Sequence, residues 1–394
     1  MANNFFNNPN KTYMLNCQKD FFDLEDDVVY LNGAYMSPNL KSVTAAGIKA
    51  ISLKSHPYNI YPDDFFTQAQ KLRGLFAELI HCDDPDRIAL IPSVSYGMAN
   101  ASKNISLSPG DEVLMIEEQF PSNFYCWKTI AEKYEATLVI KKAPDSSQRG
   151  QDWNSDLLDA ISEKTRVVTL PIVHWADGTV FDIKAITEKA HKYNALVVID
   201  GTQSIGAMEF NLKDIPVDVL ISSAYKWLLG PYSMGFAYYC DAFDQGQPIE
   251  ESWMTKLNSE NFAGLVNYKQ EFKPKAFRYN VGQFSNFALV PMAIEGLRQL
   301  IEWGPINITA YCASISSPID LLQDRLNVKQ ADWRAKHLFG IKPKGPINLD
   351  KLKEELKEKR IYVSIRGESI RVSPNVYNTK EDIQILCNEL LALV

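Results

Sequence analysis

An α/β fold is what the order of apolar runs in this chain predicts: a large domain around a mostly parallel seven-stranded sheet, then a smaller α+β C-terminal domain. Three observations carry that expectation. Short Val/Ile/Leu-rich runs alternate with helical patterns from Val28 to roughly Asn280. The runs barely alternate in polarity, as strands do when helices cover both faces of a sheet. From Val281 onward the pattern changes to one long amphipathic helix and then a second, shorter unit. A length of 394 residues, more than one core usually holds, agrees with two domains.

The elements follow in order. Residues 1–27 are polar, Asn-rich and aromatic, and are expected to form an arm packed on the small domain. The large domain is expected over 28–280, with strands at Ile88–Pro92, Glu112–Ile116, Ala136–Ile140, Arg166–Ile172, Ala195–Ile199, Val217–Ile221 and Met234–Tyr239. The small domain, 281–394, opens with a helix over Ala288–Glu302. A strand at Phe339–Lys342, a helix at Leu349–Lys359, strands at Tyr362–Ile365 and Ser369–Val372 and a helix at Lys380–Leu393 complete it. Thr379 caps that last helix, with Glu381 and Asp382 in its first turn.

Composition narrows the function classes. The hydrophobic fraction of 46% and charged fraction of 23% are those of a soluble globular chain. A net charge of −7 argues against a broad nucleic-acid footprint. The six cysteines lack CxxC spacing, which fits reduced thiols in a cytoplasmic protein and neither a disulfide framework nor a zinc site. His81-Cys82-Asp83-Asp84 holds candidate ligands, but adjacent residues converge poorly on one ion, so no metal is expected. No membrane partner is expected either, since no apolar run reaches spanning length and no signal peptide is read at the N-terminus.

In open α/β sheets ligands bind outside the carboxyl ends of the strands, so those ends carry the chemistry. Five consecutive ends offer Val94 and Ser95 at a helix start, Phe120, then His174 and Trp175, then Asp200 and Gln203, and finally Ser223, Tyr225 and Lys226. A lysine and an acid delivered to one sheet edge are what pyridoxal phosphate requires. The amine forms the Schiff base and the acid keeps the pyridine nitrogen protonated. Val94 and Ser95 can offer helix N-terminal amides to the phosphate, with Ser223 and Tyr225 adding hydroxyls. Phe120 can stack on the ring, and Gln203 can bond its oxygen. Each residue also has a plainer reading: Ser95 as a cap, Phe120 and Trp175 as core, His174 as a packed histidine.

Asp200-x-x-Gln203-x-x-Gly206, followed by Ser222-Ser223-Ala224-Tyr225-Lys226-Trp227-x-x-Gly230-Pro231, resembles the class V aminotransferase family of fold-type I pyridoxal phosphate enzymes. That family includes cysteine desulfurases, selenocysteine lyases, kynureninases and isopenicillin N epimerase-like proteins. The resemblance implies the aspartate-aminotransferase-like fold, an amino acid substrate and a homodimer with sites at the interface. It implies that Arg371, in Arg371-Val372-Ser373-Pro374-Asn375, grips the substrate α-carboxylate, and that Asn32 and Ala34 line the substrate site. It places Gln283 where relatives reach across to the partner's cofactor phosphate, and Trp175 and His174 near ring or substrate.

The departures shape the expected reaction. Desulfurases carry a reactive cysteine before the final arginine motif, whereas the Ile361–Arg371 link is short and has none. Phe120 and Tyr225 are kynureninase-like, while Asp200-x-x-Gln203 is similar to desulfurases and epimerases. Lyase or epimerase chemistry at Cα or Cβ is therefore expected, and persulfide formation is not. True transamination, or a non-catalytic relative that kept the fold as a binding module, stands as the alternative.

Overall fold

The computed structural model describes residues 13–322, 326–328, 331–345 and 348–393. A short strand, β1 (Val29–Tyr30), and two helices, α1 (Lys41–Leu53) and α2 (Thr67–Leu79), come first. The seven strands expected from the apolar runs follow: β2 (Ile88–Ile91), β3 (Glu112–Ile116), β4 (Thr137–Lys141), β5 (Thr165–Pro171), β6 (Leu196–Asp200), β7 (Val219–Ser223) and β8 (Gly235–Tyr239). They form one sheet in the order β2-β8-β7-β6-β5-β3-β4. The pairs β3–β4, β3–β5, β5–β6 and β6–β7 are parallel. Only β8 runs antiparallel to its neighbours, β2 and β7.

Both faces of this sheet are covered, which is why its strands read as unbroken apolar runs. Helices α3 (Val94–Lys103), α4 (Tyr125–Lys133), α5 (Arg149–Ala160) and α6 (Ile183–Lys192) divide between the faces. Val113 and Met115 of β3 pack with Trp127 of α4. Leu114 and Ile116 of the same strand pack with Trp153 of α5 and Ile186 of α6. Successive side chains thus serve opposite cores. Beyond β3 the chain runs out to β4 and then returns to β5, so crossovers on opposite faces leave a crevice at the strand ends beside β3 and β5.

The C-terminal part does not pack as one block. Helices α7 (Leu289–Trp303) and α8 (Pro305–Ile315) share their core with the large sheet, α1 and α2. The later strands are β9 (Leu326–Val328), β10 (Phe339–Pro343), β11 (Ile361–Tyr362), β12 (Ser364–Arg366) and β13 (Ser369–Val372), with helices α9 (Leu349–Glu358) and α10 (Lys380–Leu393). Four of these strands make an antiparallel sheet in the order β12-β13-β10-β9. The run expected at Tyr362–Ile365 is split. β11 leaves that sheet and pairs in parallel with β1, so Val29 and Leu31 sit in the small-sheet core with Ile361, Val372 and Leu386. The amino-terminal segment is thereby stitched to the C-terminal unit.

The described part of the arm, from Tyr13, packs on α7, α8 and Tyr377, in the core they share with the large sheet. Tyr13 donates from its amide to Asn307 Oδ1 at 3.1 Å and from its hydroxyl to the Glu302 carbonyl at 3.0 Å. Phe22 packs edge-on against Tyr377, with ring centres 5.0 Å apart. Among the described residues no helix is long and apolar enough to cross a membrane.

Candidate active site

At the carboxyl ends of β3, β5, β6 and β7 lies a cavity of about 370 Å³. Its walls include Val94, Ser95, Phe120, Trp175, Asp200, Gln203, Ser223, Tyr225 and Lys226, nine of the residues singled out from the sequence. The parallel register places the groups. Asp200 is the last residue of β6 and stands level with Ile221 of β7, whose next residues lead to Lys226. The loop holding Lys226 is held from three sides. Leu229 N donates to the Lys226 carbonyl at 3.1 Å, and Gly230 N to the Ala224 carbonyl at 2.9 Å. Leu229 adopts φ 52°, a conformation that costs a branched residue energy unless its surroundings enforce it. Gly296 of α7 packs directly against it: a Cβ there would lie 2.8 Å from the Leu229 carbonyl. Gly206 (φ 97°) brings the Gln203 loop equally close, for its Cβ would meet the Trp227 carbonyl at 2.4 Å.

The electrostatics of the central pair is unfavourable for charge on either member. Burial raises the Asp200 carboxyl above its ordinary value, against hydrogen bonds from Thr202 and the pull of Lys226. Burial lowers the Lys226 amine to about 8, with Asp200 opposing and Arg371 and Arg366 adding to the fall. The amine lies 5.6 Å from the centre of the Phe120 ring and 5.3 Å from that of Tyr225. Phe120 itself meets Trp175 edge-on at 5.5 Å.

Two sets of donors in and beside this site have no partner. The Ser223 hydroxyl is buried and makes no hydrogen bond. Arg371, on β13 and almost wholly buried, spends only Nη1, on the Trp175 carbonyl at 3.0 Å. Its Nε and Nη2 are buried and unbonded, an expensive arrangement that a bidentate anion relieves. Burial, then Arg366, lowers its pKa to about 9, against Tyr225.

These unpaired donors suit pyridoxal phosphate carrying an amino acid. Ser223 and the first residues of α3 line the same cavity and could hold the phosphate; Ser93 caps that helix by accepting from Tyr96 N at 3.2 Å. A ring cation beside Asp200 would reverse the cost of ionising that carboxyl. The residues present therefore fit the cofactor.

Several expected roles change. His174 does not face the cavity: it is fully buried, Nδ1 pairs with Asp177 at 2.9 Å, and Nε2 lies 3.2 Å from the Glu118 carbonyl. Burial acts to raise Asp177, but His174 and Arg149 outweigh it and hold the carboxyl well below the usual range. His174 thus pins the turn that presents Trp175, and the His-x-x-Asp spacing was the available signal. Gln203 lines the cavity, yet both ends are engaged, Nε2 with the Ala34 carbonyl at 3.1 Å and Oε1 with Trp227 Nε1 at 2.9 Å. One amide hydrogen is left for a ligand. Ala34 therefore acts through its carbonyl on Gln203, and Asn32 accepts from Ser364 Oγ at 2.7 Å, tying the N-terminal segment to the arginine hairpin. Gln283 is exposed and is not among the residues lining the cavity. Thr202 was missed: its amide bonds Asp200 Oδ1 at 3.0 Å and its hydroxyl accepts from Ser223 N at 3.3 Å, bridging the two strand ends.

Comparison with known proteins places this geometry. The chain is 24% identical to isopenicillin N epimerase of Streptomyces clavuligerus, covering 94% of this chain and 96% of that one. It is 27% identical to a probable cysteine desulfurase of Methanothermobacter thermautotrophicus, over 80% and 81% of the two chains. A solved C-DES variant with glycine covalently linked to its pyridoxal phosphate superposes with a TM-score of 0.84 at 18% identity, covering 96% of this chain and all of that one. The family model described as aminotransferase class-V matches residues 59–279, the span that holds every strand of the large sheet. The chain therefore belongs to the class V aminotransferases and is a pyridoxal-phosphate-dependent enzyme.

Proposed function

We propose that this enzyme acts at Cα or Cβ of an amino acid as a lyase or epimerase, with Lys226 as the group that moves the proton at Cα. The observation that carries the reading is the buried Lys226–Asp200 pair facing the unspent donors of Arg371. Pyridoxal phosphate supplies the electron sink for a bond broken at Cα. Arg371 would take the substrate α-carboxylate on Nε and Nη2, which orients Cα toward Lys226. Asp200 would hold the proton on the ring nitrogen. Ser223 and the amides of Val94 and Ser95 would hold the phosphate, and Phe120 and Trp175 exclude water from one side. Burial brings the Lys226 amine down to about 8, so the neutral form that accepts a proton is far more populated near neutral pH than in an ordinary lysine.

Persulfide formation is disfavoured by the hairpin. β12 and β13 are joined by a tight turn at Gly367, so no loop there carries a nucleophile to the substrate. None of the six cysteines lines the cavity, and Cys312 and Cys387 are buried. The reading includes a homodimer in which each copy offers Gln283 to the other's phosphate, a role that requires the side chain to be exposed in the single chain, as it is. An amino acid panel tests the reaction. Keto-acid release without pyridoxamine phosphate, or inversion at Cα with solvent deuterium uptake, is the expected outcome. Stoichiometric pyridoxamine phosphate would make the enzyme a transaminase. Cysteine-dependent sulfide transfer through an enzyme thiol would contradict the reading.

A further inference from the structure

Past Trp175 a second cavity of about 900 Å³ opens between the strand ends of the large sheet and the β12–β13 hairpin. Three cationic side chains line it: Arg149, Lys342 and Arg366. Two are neutralised. Arg149 pairs with Asp177 at 3.0 Å and Glu118 at 3.3 Å, and Lys342 pairs with Glu368 at 2.5 Å. Arg366 has no carboxylate within ion-pair distance among the described residues, and its Nη1 donates only to the Ile365 carbonyl at 2.7 Å.

Arg366 is also aimed at the site. In the hairpin Ser364 stands opposite Arg371, so Arg366, two residues on, shares a face with Arg371 as its diagonal neighbour. Both arginines meet Trp175: Arg371 bonds its carbonyl, and the Arg366 guanidinium lies 5.9 Å from its ring centre. Arg366 is only half-buried, so a ligand reaching past Trp175 toward solvent meets it. Glu118, Asp145, Asp177 and Glu368 also line this cavity, but none is ion-paired with Arg366. Two like charges on one face of the hairpin repel, and a second anion there would relieve the repulsion.

We propose that Arg366 binds a second anionic group of the substrate, so that the amino acid used by this enzyme carries a side-chain carboxylate or comparable anion. The proposal rests on the reading that Arg371 takes the α-carboxylate. It makes Arg366 a specificity residue and Trp175 the partition between the reacting centre and the side-chain end. An amino acid with an acidic side chain spans both; its neutral amide isostere leaves the Arg366 guanidinium unpaired.

The test titrates the holoenzyme with L-glutamate against L-glutamine, and L-aspartate against L-asparagine, following the visible spectrum of the cofactor. The expected result is tighter binding of the acid by about 10- to 100-fold, the range of a charge-assisted hydrogen-bonded pair. Arg366→Gln should abolish that preference and leave amide affinity unchanged. Arg366→Lys should restore part of it, and Arg371→Gln should weaken acid and amide together. Equal binding of acid and amide by the wild type overturns this proposal alone, as does an Arg366→Gln effect of the same size on both. No spectral response to any amino acid overturns the parent reading and this one with it.

Discussion

The two walls of the active site are built differently. The proposed cofactor wall comes from the ends of β3, β5, β6 and β7 in one continuous sheet, whereas the proposed carboxylate wall comes from the β12–β13 hairpin, whose core is separate. On the first wall, position along the chain determines position in space, because parallel strands in register deliver their next residues to one edge. On the second, Arg371 and Arg366 arrive only because the small sheet docks over Trp175 and β1 pairs with β11. On the proposed roles, the reacting groups are set by strand register and the selecting groups by tertiary docking. Changes to the first wall should alter the rate of chemistry, and changes to the second should alter which molecule is bound.

The largest expected effect is on the first wall. Lys226→Ala should lower turnover by at least about 10³- to 10⁴-fold with little change in overall fold, read by steady-state kinetics beside circular dichroism. The pH dependence follows from the lowered pKa. The neutral amine is the nucleophile, so cofactor capture by the cofactor-free wild type should be slow below pH 8 and level off above it. A midpoint at the ordinary lysine value would show that burial does not tune this amine.

Next, Arg371→Gln should raise KM by about 10- to 100-fold, with a smaller fall in kcat, because it removes ground-state and transition-state binding alike. A pure kcat effect would move Arg371 to the first wall and erase the contrast. Asp200→Asn should do the reverse, lowering kcat by about 100-fold with KM nearly unchanged. The variant should not lose stability without cofactor, because burial already disfavours the Asp200 charge. Loss of melting temperature in cofactor-free Asp200→Asn would contradict that account.

The smallest catalytic effect should come from Asp177→Asn, which removes the carboxylate holding His174 and Arg149. It should cost about 2–4 kcal/mol of folding stability while leaving kcat nearly intact. The sign with pH is definite. The folded-state pKa of Asp177 is depressed, so its contribution is present above the unfolded value near ~4 and is lost as pH falls through the folded one. The stability gap between wild type and variant should therefore be widest near neutral pH and should narrow in strong acid, measured by chemical denaturation.

The same contrast explains what the sequence revealed. All seven strands of the large sheet were legible to within two residues at either end, because a doubly covered parallel strand is an apolar run with a polar end. Lys226, Asp200, Phe120 and Ser223 were legible for the same reason. His174 was misplaced because a polar residue after a strand can turn back into the core when a partner such as Asp177 sits three residues on. The hydrogen bonds of Gln203 depend on Ala34 and Trp227, which only the docked fold brings together. The pairing of β1 with β11 spans more than three hundred residues and left no local trace.

Borohydride reduction of the holoenzyme followed by peptide mapping tests whether Lys226 is the residue joined to the cofactor. The account predicts a stable pyridoxyl mass on the peptide containing Lys226 and none in Lys226→Ala. A reduced cofactor mapped to another lysine, or an undiminished link in Lys226→Ala, would contradict it.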